Sequence, residues 1–252
     1  MNFLAVLPLL GFSLVAQAAS DLAWLQQNLK NQETVVQFSQ GKIDGADYTA
    51  VVANRGNAKE DGPPVLAIFE TRGEQRKLLT EIELGSGEET TVKIQHNSIY
   101  IRQDYAHHGI RFTQYQFKHI DREFKMVGIE SQDMSLSDYG VPENERESSG
   151  YTSREMWSGS STNFLTSRGE CWLKMLDLEL SEKLSTEFKD AHARFKLGVR
   201  PKHAITGKIR FAQKALVPLS SFDLYGYDLD SRPPVCYFDY KRRLHKITTP
   251  PK

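Results

Sequence analysis

The side chains able to do chemistry fall into three groups: His96, His107, His108 and His119; the hydroxyl run Ser158-Gly159-Ser160-Ser161-Thr162-Asn163; and Cys171 with Cys236. An imidazole near neutral pH can act as a general base or ligate zinc. His107 and His108 are adjacent, so on an extended chain their side chains diverge. No His-x-Glu or Glu-x-x-His spacing supports a zinc site. They read as solvated histidines at the tip of a hairpin, residues 105–109, where a partner can reach them. A catalytic serine needs a base, an acid that orients the base, and an oxyanion hole. Gly159-Ser160-Ser161-Thr162 lacks the second glycine of the Gly-x-Ser-x-Gly elbow. Residues 158–163 are therefore expected to form a hydroxyl-rich binding loop, or simply a Ser/Gly turn. Ser158, Ser160, Ser161 and Asn163 are its candidate contacts. The rival is a hydrolase whose site the fold assembles from dispersed histidines and carboxylates, with His107 and Asp104 as the pair to test.

Two cysteines and no third pair most simply with each other in an oxidising compartment. Two buried thiols are the alternative, and the absence of Cys-x-x-Cys argues against redox or metal chemistry. Residues 1–18 suggest the compartment. An apolar run over residues 2–15, broken by Pro8, Gly11 and Ser13, leads to Ala16-Gln17-Ala18, a small-x-small cleavage site. A transmembrane helix needs about 20 apolar residues, and this run ends before Asp21. It carries no Lys or Arg, unlike most signal peptides, yet the rest of the pattern predicts one, and with it a periplasmic or secreted mature chain. No Cys follows the small residues, which disfavours a lipid anchor. Lys plus Arg and Asp plus Glu both number 32, so bulk charge favours neither nucleic acid nor an anionic membrane. The expectation is a protein partner, with no nucleic acid, no membrane span, no metal and no cofactor.

A β scaffold must position these residues. Residues 91–130 carry β-branched and aromatic side chains at near two-residue spacing, with short polar breaks. That predicts three consecutive strands of an antiparallel meander, over residues 92–102, 110–117 and 124–129. The phase slips between Phe112 and Tyr115, which implies a bulge or a strand covered on both sides. Upstream, Asp21, Leu22, Leu25 and Leu29 suggest a short helix, and Val35-Val36-Gln37-Phe38 an edge strand. Asp44-Gly45 suggests a hairpin or loop-to-strand turn, with further strands over residues 48–53, 65–69 and 77–84. Downstream, residues 131–154 read as a long polar surface loop, and residues 171–176 as a strand. Leu184, Phe188, Ala191 and Phe195 predict a helix over residues 181–197, capped by Ser181, with a strand pair left open. Residues 201–207 read as a connector, and residues 233–240 as a last strand before a basic tail. Trp157 and Trp172 read as core rather than interface anchors. The expected fold class is mainly β, an antiparallel meander or sandwich-like domain with one or two short helices. Residues 19–252 form a single β-rich domain, with a C-terminal subdomain from about residue 170 left open.

Gly41-Lys42-Ile43-Asp44-Gly45, running into Tyr48-Thr49-Ala50-Val51-Val52-Ala53, resembles the Asp-Asn-Gly-Asp-Gly junction of FG-GAP/VCBS-like exported bacterial proteins of unknown function. A meander over residues 99–129, the phrase Ser161-Thr162-Asn163-Phe164-Leu165-Thr166-Ser167, and Val217-Pro218-Leu219-Ser220-Ser221-Phe222 extend the likeness over most of the mature chain. The loop of that family suits a hard cation. Here only Asp44 and Asp47 remain, with Lys42 where an acid would help. Calcium takes about six to eight oxygens, so a glycine-containing turn is expected instead. Residues 158–161 also resemble the inserting loop of bacterial periplasmic lysozyme inhibitors, which sets small hydroxyls against catalytic carboxylates.

Together these readings point to an exported, non-catalytic binding protein, as an inhibitor or an immunity protein against an envelope-acting toxin. The hydrolase and a purely structural envelope component are the alternatives. Reduction followed by alkylation should add two alkyl groups to a mass that alkylation alone leaves unchanged. Opening the loop should cost about 4 kcal/mol in the chain-entropy description. Uptake of two alkyl groups by the denatured chain without any reductant would remove the disulfide.

Overall fold

Asp44 and Gly45 take φ of 50° and 83°, closing a two-residue hairpin between β1 (Thr34–Ile43) and β2 (Ala46–Asn54). Turns with both central residues left-handed match the twist of the strands they join. β3 (Val65–Arg72) and β4 (Gln75–Glu83) complete a four-stranded antiparallel sheet in the order β1-β2-β3-β4. The computed structural model describes residues 24–25, 29, 34–54, 64–73, 75–84, 89–105, 110–136, 155–176, 186–212, 215–222, 236–238 and 242–246. A second antiparallel sheet holds β5 (Glu89–Gln95), β6 (Ser98–Tyr105), β7 (Ile110–Ile120), β8 (Glu123–Leu136), β9 (Glu155–Asn163), β10 (Arg168–Leu176) and β11 (Ile205–Arg210). Each of these seven strands pairs with the next along the chain. Helix α1 (Thr186–Lys196) lies in the connection between β10 and β11. A small hairpin of β12 (Cys236–Phe238) and β13 (Leu244–Lys246) sits beside β10. Cys171 and Cys236 form the expected disulfide, with Cα atoms 5.9 Å apart, and so fasten β12 to β10.

The mainly antiparallel β class holds, and several element boundaries change. Residues 91–130 contain four strands rather than three. His96 and Asn97, with φ of 48° and 58°, turn the chain between β5 and β6 where a continuous strand was expected. Gln95-His96-Asn97-Ser98 lacks the Asn-Gly or Asp-Gly pair that marks such turns most strongly, although Asn97 is a residue type that tolerates this backbone. Residues 131–136 are not loop but the end of β8, bonded to both β7 and β9. Ser158, Ser160, Ser161 and Asn163 likewise belong to a strand, β9, with neighbours on both sides. A hydroxyl-rich sequence is tolerated there because the ladder bonds satisfy the backbone whatever the side chains are. β11 begins at Ile205, inside the expected connector. The basic tail contains β13, which pairs with β12. Helix α1 starts at Thr186; Ser181, like residues 137–154, lies outside the described residues.

The main core lies between the two sheets. Tyr48, Ala50, Val52, Leu66 and Ile68 of the smaller sheet meet Val92, Ile94, Ile99, Ile101, Tyr115 and Phe117 of the larger one. Both sheets are also covered on their outer faces. Trp24 and Leu25 are helical and pack with Val51, Ala67 and Phe69 on the outer side of the smaller sheet. On the larger sheet, Ala191 and Phe195 of α1 cover Phe112, Met134, Trp157 and Leu176. This explains the apparent phase slip in β7: Tyr115 and Phe117 face the inter-sheet core, while Phe112 faces α1. A register shift lies further on, between Gln116 and Phe117. Each large side chain fully buried in this way contributes about 1.5–3 kcal/mol.

Gly159, in the middle of β9, has a packing role. A Cβ built there would stand 2.4 Å from the Trp172 ring and 2.6 Å from the Ser131 carbonyl oxygen. The indole of Trp172, 2% exposed, therefore lies flat across the strand where a side chain would otherwise be. Gly159→Ala should destabilise the fold by about 1–3 kcal/mol through overpacking, read as a lower urea midpoint with an unchanged m-value; a shift within error would show that the indole can move aside.

Candidate functional site

Strand alternation sorts the hydroxyl-rich residues into two sets. Ser158 and Ser160 point toward the inter-sheet side, where Ser160 is buried and lies opposite Cys171 and Ser131 in the register. Ser161 and Asn163 point to the outer face, the one that α1 partly covers. On that face they line a groove of about 690 Å³ together with Thr166, Arg168, Glu170, Lys208 and Arg210. The groove is walled by the ends of β9, β10 and β11. The Asn163 side-chain oxygen accepts the Thr166 N–H at 3.0 Å, fixing the turn between β9 and β10.

The segment following α1 defines the rest of this face. Gly198, with φ of 68°, ends the helix, and its carbonyl accepts a hydrogen bond from Gln132 at 3.4 Å. Gln132 is fully buried and accepts the Trp157 indole N–H at 2.9 Å through its side-chain oxygen. Arg194 donates to the Arg200 carbonyl at 2.7 Å. The Arg200 guanidinium then sits 4.4 Å above the Trp172 ring, within reach of Glu130 at 3.6 Å and Glu170 at 3.4 Å. Cation–π contact and two carboxylates together hold it in place. Arg200 thus bridges Glu170, which lines the groove, and Glu130, which lines a second hollow of about 280 Å³ together with Lys93, Tyr100, Gln114 and Lys196.

The electrostatic consequence is uneven charge. Glu170 is engaged by Arg200, whereas Arg168, Lys208 and Arg210 form no ion pair among the described residues. Three cations therefore face an open, polar, hydroxyl-bearing floor. Such a surface suits anionic groups, with Arg168 and Arg210 able to bind carboxylates through two parallel hydrogen bonds.

A different cluster gathers the expected loop acids. The Asp44 N–H donates to Asn97 Oδ1 at 2.6 Å, and Asn97 Nδ2 donates to Asp44 Oδ1 at 2.5 Å. Asp44 Oδ2 lies 3.6 Å from His119 Nδ1, and Asp47 lies 3.6 Å from Lys42. Both carboxylates are thus taken by donors, and the contact ties the β1–β2 turn to the β5–β6 turn and to the end of β7. Among the described residues no group of three or more His, Cys, Asp or Glu side chains converges to hold a metal ion. Asp104 is held by Arg102, with Nε–Oδ2 of 2.8 Å. His107 and His108 lie outside the described residues.

The cationic residues of the groove were missed from the sequence. A signal was present: Thr206, Lys208 and Arg210 alternate with Gly207 and Ile209, the period of a strand with one polar face. Arg200 carried no signal, because its place depends on where α1 ends against the sheet. Comparisons with protein families, with curated proteins and with solved structures find no match to this chain.

Tyr48, beside the turn cluster, is 4% exposed and stacks edge-on against Phe124 at 5.3 Å. Burial raises its pKa above the ordinary 10.0, the charges of Glu70 and Asp44 add to this, and Arg72 opposes it. The folded chain therefore holds the phenol proton at pH values where the unfolded chain has released it. This contribution to stability is intact below pH 10 and is lost progressively above it. Tyr48→Phe should flatten the fall in urea midpoint between about pH 9 and pH 11; an equally steep fall in the variant would place the alkaline sensitivity elsewhere.

Proposed function

We propose that the chain is an exported, non-catalytic binding protein and that the outer polar face of the seven-stranded sheet is where it holds a protein partner. The observation that carries this reading is the groove floored by Ser161 and Asn163 and walled by three cations without ion pairs among the described residues. A surface built on central strands holds its shape before binding, so little ordering entropy is lost on association. Arg200, clamped between Trp172 and two carboxylates, stiffens the rim in the same way.

An inhibitor or immunity protein against an envelope-acting toxin is the form this takes for an exported chain. The supporting chemistry is complementarity: hydroxyls, an amide and guanidinium groups suit the carboxylates that line many hydrolase clefts. The hydrolase alternative is weaker, since the Asp104 carboxylate is committed to Arg102. The disulfide supports an oxidising compartment, and no described helix is long and apolar enough to cross a membrane.

Affinity capture from an envelope extract should recover a stoichiometric partner. Ser161→Trp, which fills the groove floor on the face turned away from the inter-sheet core, should reduce that recovery by about tenfold while leaving the far-ultraviolet dichroism unchanged. Equal recovery by both proteins would move the partner off this face. Repeated recovery of nothing would sink the binding reading.

A further inference from the structure

We propose that the outer edge of β11 and the cationic groove beside it form one site, which takes an extended acidic segment of a partner protein as an added strand. The proposal rests on the binding reading above and names the chemistry of the partner. It starts from the difference between the two edges of the seven-stranded sheet. At the β5 edge, the Val92 N–H donates to Gln37 Oε1 and the Ile94 N–H to Ser39 Oγ, both at 2.9 Å. Side chains of β1 therefore occupy the ladder positions, and that edge is closed. β11 ends the sheet on the other side, and no backbone partner lies beyond it among the described residues.

The register decides which groups face outward. Phe211 N–H donates to the Ser167 carbonyl at 3.1 Å, and β11 pairs antiparallel with β10 from Arg168↔Arg210 to Leu173↔Ile205. Alternation of the ladder then directs the backbone groups of Ile205, Gly207 and Ile209 toward β10. Those of Thr206, Lys208 and Arg210 point away from the sheet. The same three residues send their side chains to the groove face, and all three are exposed. A chain laid along β11 would thus receive backbone hydrogen bonds from the residues whose side chains also overhang it. Cross-strand neighbours on one face lie about 5 Å apart, so Lys208 and Arg210 would meet every second side chain of the added strand.

Charge selects the occupant. A second copy of β11 would set Lys208 and Arg210 against like charges, which is how cationic edges discourage self-pairing. The same charges favour a strand with acidic residues at alternate positions. On the opposite face Ile205 is 46% exposed and offers an apolar contact to the residues between them. Strand addition gives affinity through the backbone and specificity through alternate side chains.

The test uses the full chain with its Cys171–Cys236 disulfide intact and a fluorescent peptide, Thr-Glu-Val-Glu-Val-Glu-Thr, followed by anisotropy. The acidic peptide should bind, and its Lys-for-Glu counterpart should not. K208E/R210E, whose changes lie on an exposed edge, should weaken the acidic peptide by at least about tenfold. Two further peptides carry N-methyl groups, on the Glu amides in one and on the Val amides in the other. Strand addition requires one of these to lose at least about tenfold in affinity and the other to stay within about twofold. Any other pattern, undiminished binding by K208E/R210E, or no binding of the acidic peptide overturns the proposal. Inorganic polyphosphate competing as well as the acidic peptide, charge for charge, would likewise overturn it in favour of a plain anion groove. If the peptide fails while a partner is still captured through the Ser161 face, strand addition alone is lost and the binding reading stands.

Discussion

Each strand of the larger sheet has to serve two surroundings at once, because an extended chain sends successive side chains to opposite faces. Toward the smaller sheet the requirement is apolar and dense, met by Ile99, Ile101, Tyr115 and Phe117. Away from it, the face is apolar only under α1, where Phe112, Met134, Trp157 and Leu176 gather around Ala191 and Phe195. The rest of that face remains polar. The result is a sheet whose outer surface changes character along its width, from a covered core to an open, charged groove.

The boundary between these regions is held by Arg200. Its guanidinium lies on Trp172, and Trp172 can lie flat only because residue 159 has no side chain. The neighbouring Glu130 and Glu170 compensate its charge. One glycine in a central strand, an indole laid over it and a stacked arginine thus turn a packing arrangement into the rim of a site. Opposite-charge contacts of this kind gain more when partly shielded from water than on an open surface.

How the edges are treated gives the molecule its asymmetry. Gln37 and Ser39 use side-chain oxygens to complete the β5 ladder, so the two sheets are joined at that side by hydrogen bonds as well as by apolar contact. The Asp44–Asn97 pair adds a second tie between their turns. At the far side, the hairpin of β12 and β13 and the disulfide brace β10 and β11 from the inter-sheet direction, with Cys236, Phe238 and Leu244 packed near Ile209. Binding chemistry is thereby concentrated on the outer face near β11.

Much of the fold was legible in the sequence because period-two patterning, β-branched and aromatic content, and an Asp-Gly turn are local signals. The antiparallel class and the strand positions from residue 65 to 84 followed from them. The pairing of the two cysteines followed from their number and the signal-like N-terminus. The phase slip in β7 left a bulge and a strand covered on both faces equally open, and only the packing of Phe112, Tyr115 and Phe117 decided between them. The His96-Asn97 turn escaped because a single Asn without a following glycine is a weak signal inside an apolar alternating run. The serine-rich β9 escaped because its extended conformation is imposed by the strands on either side rather than by its own propensities. The same holds for the site. Ser161 and Asn163 could be named from residue type, yet only the β9 pairing separates them from Ser158 and Ser160. Composition recorded a neutral chain with 32 charges of each sign; tertiary structure decided that Glu170 is spent on Arg200 while Arg168, Lys208 and Arg210 face one groove. Local sequence determines which way a strand's side chains alternate, but which charges meet depends on strand order and register, and those are set by contacts between residues far apart in the chain.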